Sequence, residues 1–250
     1  MTVRELYAAL AAHYPDTLSE EWDNDGLMCS ADPDREVFRV LCALDVTEDA
    51  VSEAIRVQAD VILSHHPLLF HPLSAVTPDA PSARLVIRLL AAGISVLSFH
   101  TRADAAEGGV NDLLCLALGI ASPEPFGEGL GRIGTVKRTD AAELAAHVKA
   151  TLNTPLVLFG DAKHPITRVA VVGGSGKSEI SAAVAAGADA LLSGRLSYET
   201  LNEAQAMGIT LLEAGHFYTE ALLPKYWAST LLPTLGVDAV YYDSCAVSAV

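Results

Sequence analysis

Three short segments concentrate the side chains that can bind a metal ion or move a proton. SHHPLLFHP sets His65 beside His66, straight after the apolar run VILS. Adjacent residues on an extended chain point in opposite directions. The pair can therefore serve two ions, or a single ion if the chain bends; two loop histidines with no ligand role are the plainer alternative. FHTRAD offers His100 and Asp104 after another apolar run, Ile94 to Phe99. Asp104 reaches the same crevice if its strand neighbours that of His65, and otherwise serves as a turn or helix cap. EAGHFYTE carries His216 and Glu220 four residues apart. That spacing puts both on one helical face, as in helical His pairs that chelate zinc, although an exposed Glu beside a satisfied His has the same spacing. Gly215 permits a tight exit from the preceding strand.

Together, His65, His66, Asp104, His216 and Glu220 supply three imidazoles and two carboxylates. One octahedral ion rarely needs so many protein ligands while keeping an open position. Two ions about 3.5–4 Å apart, sharing a bridging carboxylate and a bridging water, use them naturally. The N/O donor set suits zinc, iron, manganese, nickel or cobalt and does not choose among them. His100 is the candidate for proton transfer.

Apolar periodicity places these segments on an α/β scaffold. Met1 to His13 reads as an amphipathic helix with Val3, Leu6, Tyr7 and Leu10 on one face. Val37 to Leu44, Asp60 to Ser64 and Ile94 to Phe99 read as strands, and Ala83 to Ala92 and Val110 to Leu118 as helices. Thr47, followed by Glu48 and Asp49, caps another helix. This alternation predicts mostly parallel sheets flanked by helices. SPEPFGEGLG (122–131) reads as a linker. Beyond it, Asp140 and Glu143 resemble a capping box. Leu156 to Phe159, Arg168 to Val172, Ala190 to Ser193 and Ile209 to Glu213 read as strands, with a helix over Glu179 to Ala186.

The two halves align on each other. RVLCALDVTEDAVSEAIRVQADVILS, starting at Arg39, lies without gaps on RVAVVGGSGKSEISAAVAAGADALLS, starting at Arg168, and AAGISVL (91–97) pairs with AMGITLL (206–212). The expectation is two duplicated α/β domains: residues 1–125 with 216–250, carrying most of the ligands, and residues 126–215. Ligands of open α/β sheets sit outside the carboxyl ends of the strands. There the first copy has His65 and His66, whereas the second has Gly194 and Arg195. The metal site is expected at such strand ends, in the cleft between the domains. GGSGKS (173–178) is not a Walker A loop, because Val171 stands where its first glycine belongs. An ordinary strand-to-helix turn is expected there.

Composition narrows the function classes. The 250 residues are 51% hydrophobic and 19% charged, enough for a sizeable core. A formal net charge of −15 opposes general binding to nucleic acid and docking on anionic membranes. Cys29, Cys42, Cys115 and Cys245 are widely spaced and form no CxxC pair, so reduced, mostly buried thiols are expected. The N-terminus lacks a signal-peptide pattern, and no apolar run reaches the ~18 residues of a membrane span. The cytoplasm is the expected location.

EEWDNDGL (20–27), SHHP, HTRAD followed by GGVND, and AGHFYTE occur in an order that resembles the NIF-three-like dinuclear metal-centre family, often labelled GTP cyclohydrolase I type 2. The resemblance covers nearly the whole chain and fits a short form without a middle insertion. It implies that His65, His66, Asp104, His216 and Glu220 hold two divalent ions, with Glu220 as a bridge. It also implies two similar α/β domains and a ring-like homohexamer with its metal sites facing an internal cavity. The activity implied is hydrolysis by a metal-bound water, with a purine nucleotide such as GTP as substrate. A metal-binding scaffold that acts through partners without turnover is the alternative. One segment departs from the pattern: SGRLSYE has Arg195 and Glu199 where the family commonly has an Asp and, four residues on, a His. That departure touches a role toward substrate rather than the five ligands.

Overall fold

The computed structural model describes residues 1–245. Its strands, in chain order, are β1 (Gly26–Cys29), β2 (Arg39–Ala43), β3 (Val61–Ser64), β4 (Ser95–Ser98), β5 (Ala121–Phe126), β6 (Gly131–Thr139), β7 (Leu158–Gly160), β8 (Ile166–Ser175), β9 (Ala190–Arg195), β10 (Thr210–Glu213) and β11 (Asp238–Tyr241). They form two sheets, ordered β1-β4-β3-β2-β11 and β5-β6-β8-β9-β10-β7. In the first, β11, β2, β3 and β4 run parallel and β1 is antiparallel at the edge. The second keeps a parallel centre, β8-β9-β10, but its other pairings are antiparallel, so it is mixed rather than mostly parallel.

Matching positions of the repeat build both cores. In the first sheet the register aligns Leu41, Ile62 and Val96 in one row. Val51 and Ala54 of helix Glu48–Arg56, with Val86 and Leu89 of helix Pro81–Ala92, pack on it. In the second sheet the row is Ala170, Leu191 and Leu211. Ile180 and Ala183 of helix Ile180–Ala185, with Leu201 and Ala204 of helix Tyr198–Met207, cover it. Each Leu, Ile or Val buried this way contributes about 1.5–3 kcal/mol. Every residue in the second set occupies the aligned place of one in the first.

The aspartate shared by the two copies has a structural role. Asp60 Oδ2 accepts the backbone N–H groups of Phe38 and Arg39. Asp189 Oδ2 accepts those of Thr167 and Arg168, and the Thr167 hydroxyl as well. In each copy one carboxylate at the start of a central strand thus ties down the chain at its neighbour. Partial burial of Asp189 opposes ionisation, but these hydrogen bonds outweigh it and hold the carboxyl below its ordinary range.

Helix starts follow the capping logic. Thr47 Oγ1 accepts from Ala50 N, and Asp140 accepts from Glu143 N. Helix Val3–His13 carries a full capping box between Thr2 and Glu5. Residues 122–131 are not a linker. They form most of β5 and the turn into β6, where Gly127 and Gly129 take positive φ. Pro123 and Pro125 are tolerated because β5 is an edge strand.

Contacts divide the described chain into one unit of Met1–Ala103 with residues 223–245 and a second of Asp104–Leu222. Residues 104–125, grouped by sequence with the first domain, have partners in the second unit: buried Asn111 donates to Leu130 O, and Arg132 bonds Asp112 Oδ1 and Ala105 O. Cys29, Cys42 and Cys115 are buried, and Cys245 is partly exposed. No described helix is long and apolar enough to cross a membrane.

Replacing Asp189 by Ala leaves backbone donors at the start of β8 without their acceptor, and is expected to cost roughly 1–2 kcal/mol at neutral pH. A depressed carboxyl stabilises the fold above its unfolded pKa of about 3.9 and loses that effect as pH falls through its folded value. The difference in urea midpoint between wild type and Asp189→Ala should therefore shrink below about pH 4.

Candidate metal centre

In the first unit, backbone pairing continues past the ends of the parallel strands and carries the imidazoles. His66 N donates to Leu44 O at 2.9 Å, and Phe99 N donates to Ser64 O at 3.0 Å. The chain bends at His65 and His66, where Ser64 Oγ donates to His66 O at 2.8 Å. The bend overrides the opposed directions of adjacent residues, and the two ring centroids lie 5.1 Å apart. His100 joins them from the end of β4, 5.3 Å from His65 and 5.7 Å from His66 between centroids. Each of the three rings offers a nitrogen within 4.8 Å of the others, so the trio can hold a metal ion.

Each ring is tied at Nδ1 to an oxygen: His65 to Phe99 O at 2.9 Å, His66 to Asp45 Oδ1 at 2.7 Å, and His100 to Asp23 Oδ1 at 2.8 Å. A carbonyl or carboxylate oxygen only accepts, so Nδ1 carries the proton and Nε2 of the neutral ring carries the lone pair. This is the usual support of a metal-ligating imidazole. Asp23 is itself well supplied with donors. Burial would raise its carboxyl, but hydrogen bonds from His100 and Thr101 outweigh burial and hold it well below the usual carboxylate range.

The WDND segment (22–25) fixes this arrangement. Asp23 also accepts the Thr101 backbone N–H and hydroxyl. Asn24 Nδ2 donates to Leu69 O and so pins the loop that follows the histidines. Asp25 takes two nitrogens of buried Arg102, Nε at 2.9 Å and Nη2 at 2.7 Å. The guanidinium carbon lies 4.5 Å from the Phe99 ring centroid, and Nη1 donates to Tyr14 O. Breaking one side of a buried, bidentate pair is costly, about 3–5 kcal/mol, because the other charge is stranded.

In the second unit, β10 ends at Glu213, Gly215 turns the chain at φ +90°, and helix His216–Glu220 follows. The four-residue spacing closes as expected, with His216 Nε2 3.0 Å from Glu220 Oε2. Asp104 and Glu220 bring carboxylate oxygens within 4.8 Å of each other. Asn111 holds the Asp104 turn against β8, donating to Asp104 O at 3.2 Å and accepting from Gly173 N at 2.8 Å. This accounts for the GGVND segment.

The glycines of the second copy make room for that helix. A Cβ on Gly194 would stand 2.4 Å from Thr219 Oγ1 and 2.8 Å from His216 Cα. One on Gly174, itself at φ +62°, would stand 2.1 Å from Glu220 Oε1. In the repeat, Gly194 takes the place of His65 and Gly174 the place of Asp45. The first copy thus presents side chains at its strand ends, while the second removes them to admit helix His216–Glu220. GGSGKS is absorbed in the same way: its first three residues belong to β8, and Gly174 N donates to Thr219 Oγ1. Arg195 and Glu199 are both exposed.

The structure thus gathers His65, His66 and His100 in one unit, and Asp104, His216 and Glu220 in the other. All are hard or borderline donors suited to a divalent transition metal. Sequence reading missed Asp45, Asp23 and the Phe99 carbonyl as supports of the imidazoles. Asp45 lies two residues beyond β2, which neighbours the His65 strand, and that position was the available signal.

Gly194→Ala is expected to push on backbone as well as side chain and to cost about 1–3 kcal/mol. Gly187→Ala, with nothing within 4 Å of the added atom, meets only the strain of its φ of +77°. Urea titrations paired with near-ultraviolet circular dichroism check this, since only Gly194→Ala should also alter packing around Tyr218 and Phe217.

Comparison with known proteins agrees with this architecture. The family model Duf34/NIF3 (NGG1p interacting factor 3) matches residues 1–242. A Clostridium perfringens protein called GTP cyclohydrolase 1 type 2 homolog is 34% identical over 215 residues, 82% of each chain. A Streptococcus pneumoniae protein of the same name is 34% identical over 235 residues, 90% of this chain and 88% of that one. The crystal structure of a Bacillus cereus protein related to NIF3 superposes with a TM-score of 0.91 at 23% identity, covering 100% of this chain and 99% of that one, and so shares the fold. With a family match across nearly its whole length and the histidine segments in place, the chain belongs to the Duf34/NIF3 family.

Proposed function

We propose that this protein is a metal-dependent hydrolase whose two divalent ions are held by His65, His66, Asp104, His216 and Glu220. The observation that carries the reading is the Nδ1 tether of His65 and of His66, which puts the lone pair of each neutral ring on Nε2. The Asp104–Glu220 approach adds paired carboxylates of the kind a bridged pair of ions uses. In sequence only three residues separate His100 from Asp104. When bound, such ions lower the pKa of a coordinated water toward neutrality and polarise the bond to be cleaved.

The protein's own contribution is orientation and proton handling. Phe99 O and Asp45 hold His65 and His66, and Asn111 and Gly174 place Asp104 and Glu220. His100, oriented by Asp23, is the group we assign to proton transfer. A purine nucleotide is the substrate class this reading favours, in keeping with the relatives called GTP cyclohydrolase 1 type 2 homolog. Assembly as a homohexamer belongs to the same reading, resting on the family resemblance.

Elemental mass spectrometry of untagged protein should find close to two transition-metal ions per chain, falling sharply in a His65→Ala, Glu220→Ala double variant. Little metal in wild type after reconstitution would overturn the reading. Asp45→Ala should keep the fold but weaken metal binding by roughly 10–100-fold, as loss of an imidazole's carboxylate support does; competition with a chromogenic chelator measures it. Fully metallated wild type should hydrolyse GTP or a related nucleotide. His100→Gln should retain metal and lose most turnover, with a factor of about 10²–10⁴ as the expected range.

A further inference from the structure

In the WDND segment three of the four side chains are committed. Asp23 orients His100, Asn24 pins Leu69 O, and Asp25 neutralises Arg102. Trp22 has no such duty and is 61% exposed. Its ring lies 6.0 Å from that of Phe70, itself 41% exposed, and 6.3 Å from that of His100. Phe70 in turn lies 6.3 Å from His100. Both rings meet the imidazole edge-on, at 78° and 82°, and are inclined to each other by 50°. The bond from Asn24 to Leu69 couples the two loops, so the aromatic pair is held in place without being buried.

Large aromatics left in water beside a cluster of imidazoles need an explanation, because burying them would be favourable. The geometry points to a stacking subsite: Trp22 and Phe70 receive the flat face of a nitrogen heterocycle, and His100 meets its polar edge. A planar base suits this combination better than a sugar or an aliphatic chain. Stacking needs only a π face, whereas the adjacent imidazole rewards a ring nitrogen or exocyclic oxygen. This subsite rests on the proposed hydrolase reading for its purpose and deepens it by assigning residues to the base.

Trp22 also supplies the test, because the chain has two tryptophans and the other, Trp227, is fully buried. Guanosine has no phosphate to coordinate metal, and added to metallated protein it should quench indole emission saturably. Ribose 5-phosphate should not. Trp22→Phe should lose the quenching but keep most of the guanosine affinity by calorimetry. Trp22→Ala should weaken that affinity roughly ten-fold or more, and Phe70→Ala should do likewise, with metal content unchanged in all three. No saturable quenching in wild type, or undiminished affinity in Trp22→Ala, would overturn the subsite. A change in oligomeric state by light scattering in Trp22→Ala with affinity intact would overturn it too, marking the patch as an interface between copies. Metal content and GTP turnover are read separately, so loss of the subsite alone leaves the hydrolase reading standing.

Discussion

An imidazole has two nitrogens, and its use as a ligand depends on which one the protein occupies. Here three histidines are each held at Nδ1 by an oxygen that can only accept, from Phe99, Asp45 and Asp23. The tautomer, the ring orientation and the direction of the remaining lone pair all follow from that constraint. The supporting oxygens come from different places: a backbone carbonyl just past β4, a carboxylate just past β2, and a carboxylate in the loop before β1. Holding all three together requires the strands to be in register and the loop to be anchored. The buried Asp25–Arg102 pair provides the anchor, with Asp23 two residues away.

The duplication shows how one fold unit is adapted in two ways. Both copies share the core row, the covering helices and the aspartate that ties neighbouring strands. They differ at the carboxyl ends of those strands. The first presents Asp45, His65 and His66; the second has Gly174, Gly194 and Arg195 in their places. Steric demand explains the glycines, since an added Cβ would enter the space of Thr219, His216 or Glu220. Loss of side chains in one copy thus makes room for helix His216–Glu220.

Much of this was readable from the chain. Core rows at Leu41, Ile62 and Val96, and at Ala170, Leu191 and Leu211, follow from short apolar runs bounded by turn residues. The helix caps at Thr47 and Asp140 follow from local hydrogen-bond chemistry. The Pro/Gly run over 122–131 did not, because prolines that break a central strand are harmless on an edge, and edge position is set by tertiary neighbours. β11 and β1 were also missed: both are edge strands of four residues with little periodicity.

What the sequence by itself determined is the inventory and its spacing: paired imidazoles after one strand, a carboxylate after the next, and a His/Glu pair a helical turn apart. Local geometry is enough for those, because periods of 2 and 3.6 residues dictate direction. Only the tertiary structure decided that His65 and His66 converge, since their rings are held by Phe99 O and Asp45, 34 and 21 residues away. Tertiary structure alone also decided that His100 joins them and that Asp23 and Asp45 support the rings. Those partners are separated by 77 and 21 residues. No periodicity spans such a distance; strand register and the packing of Arg102 bring them together.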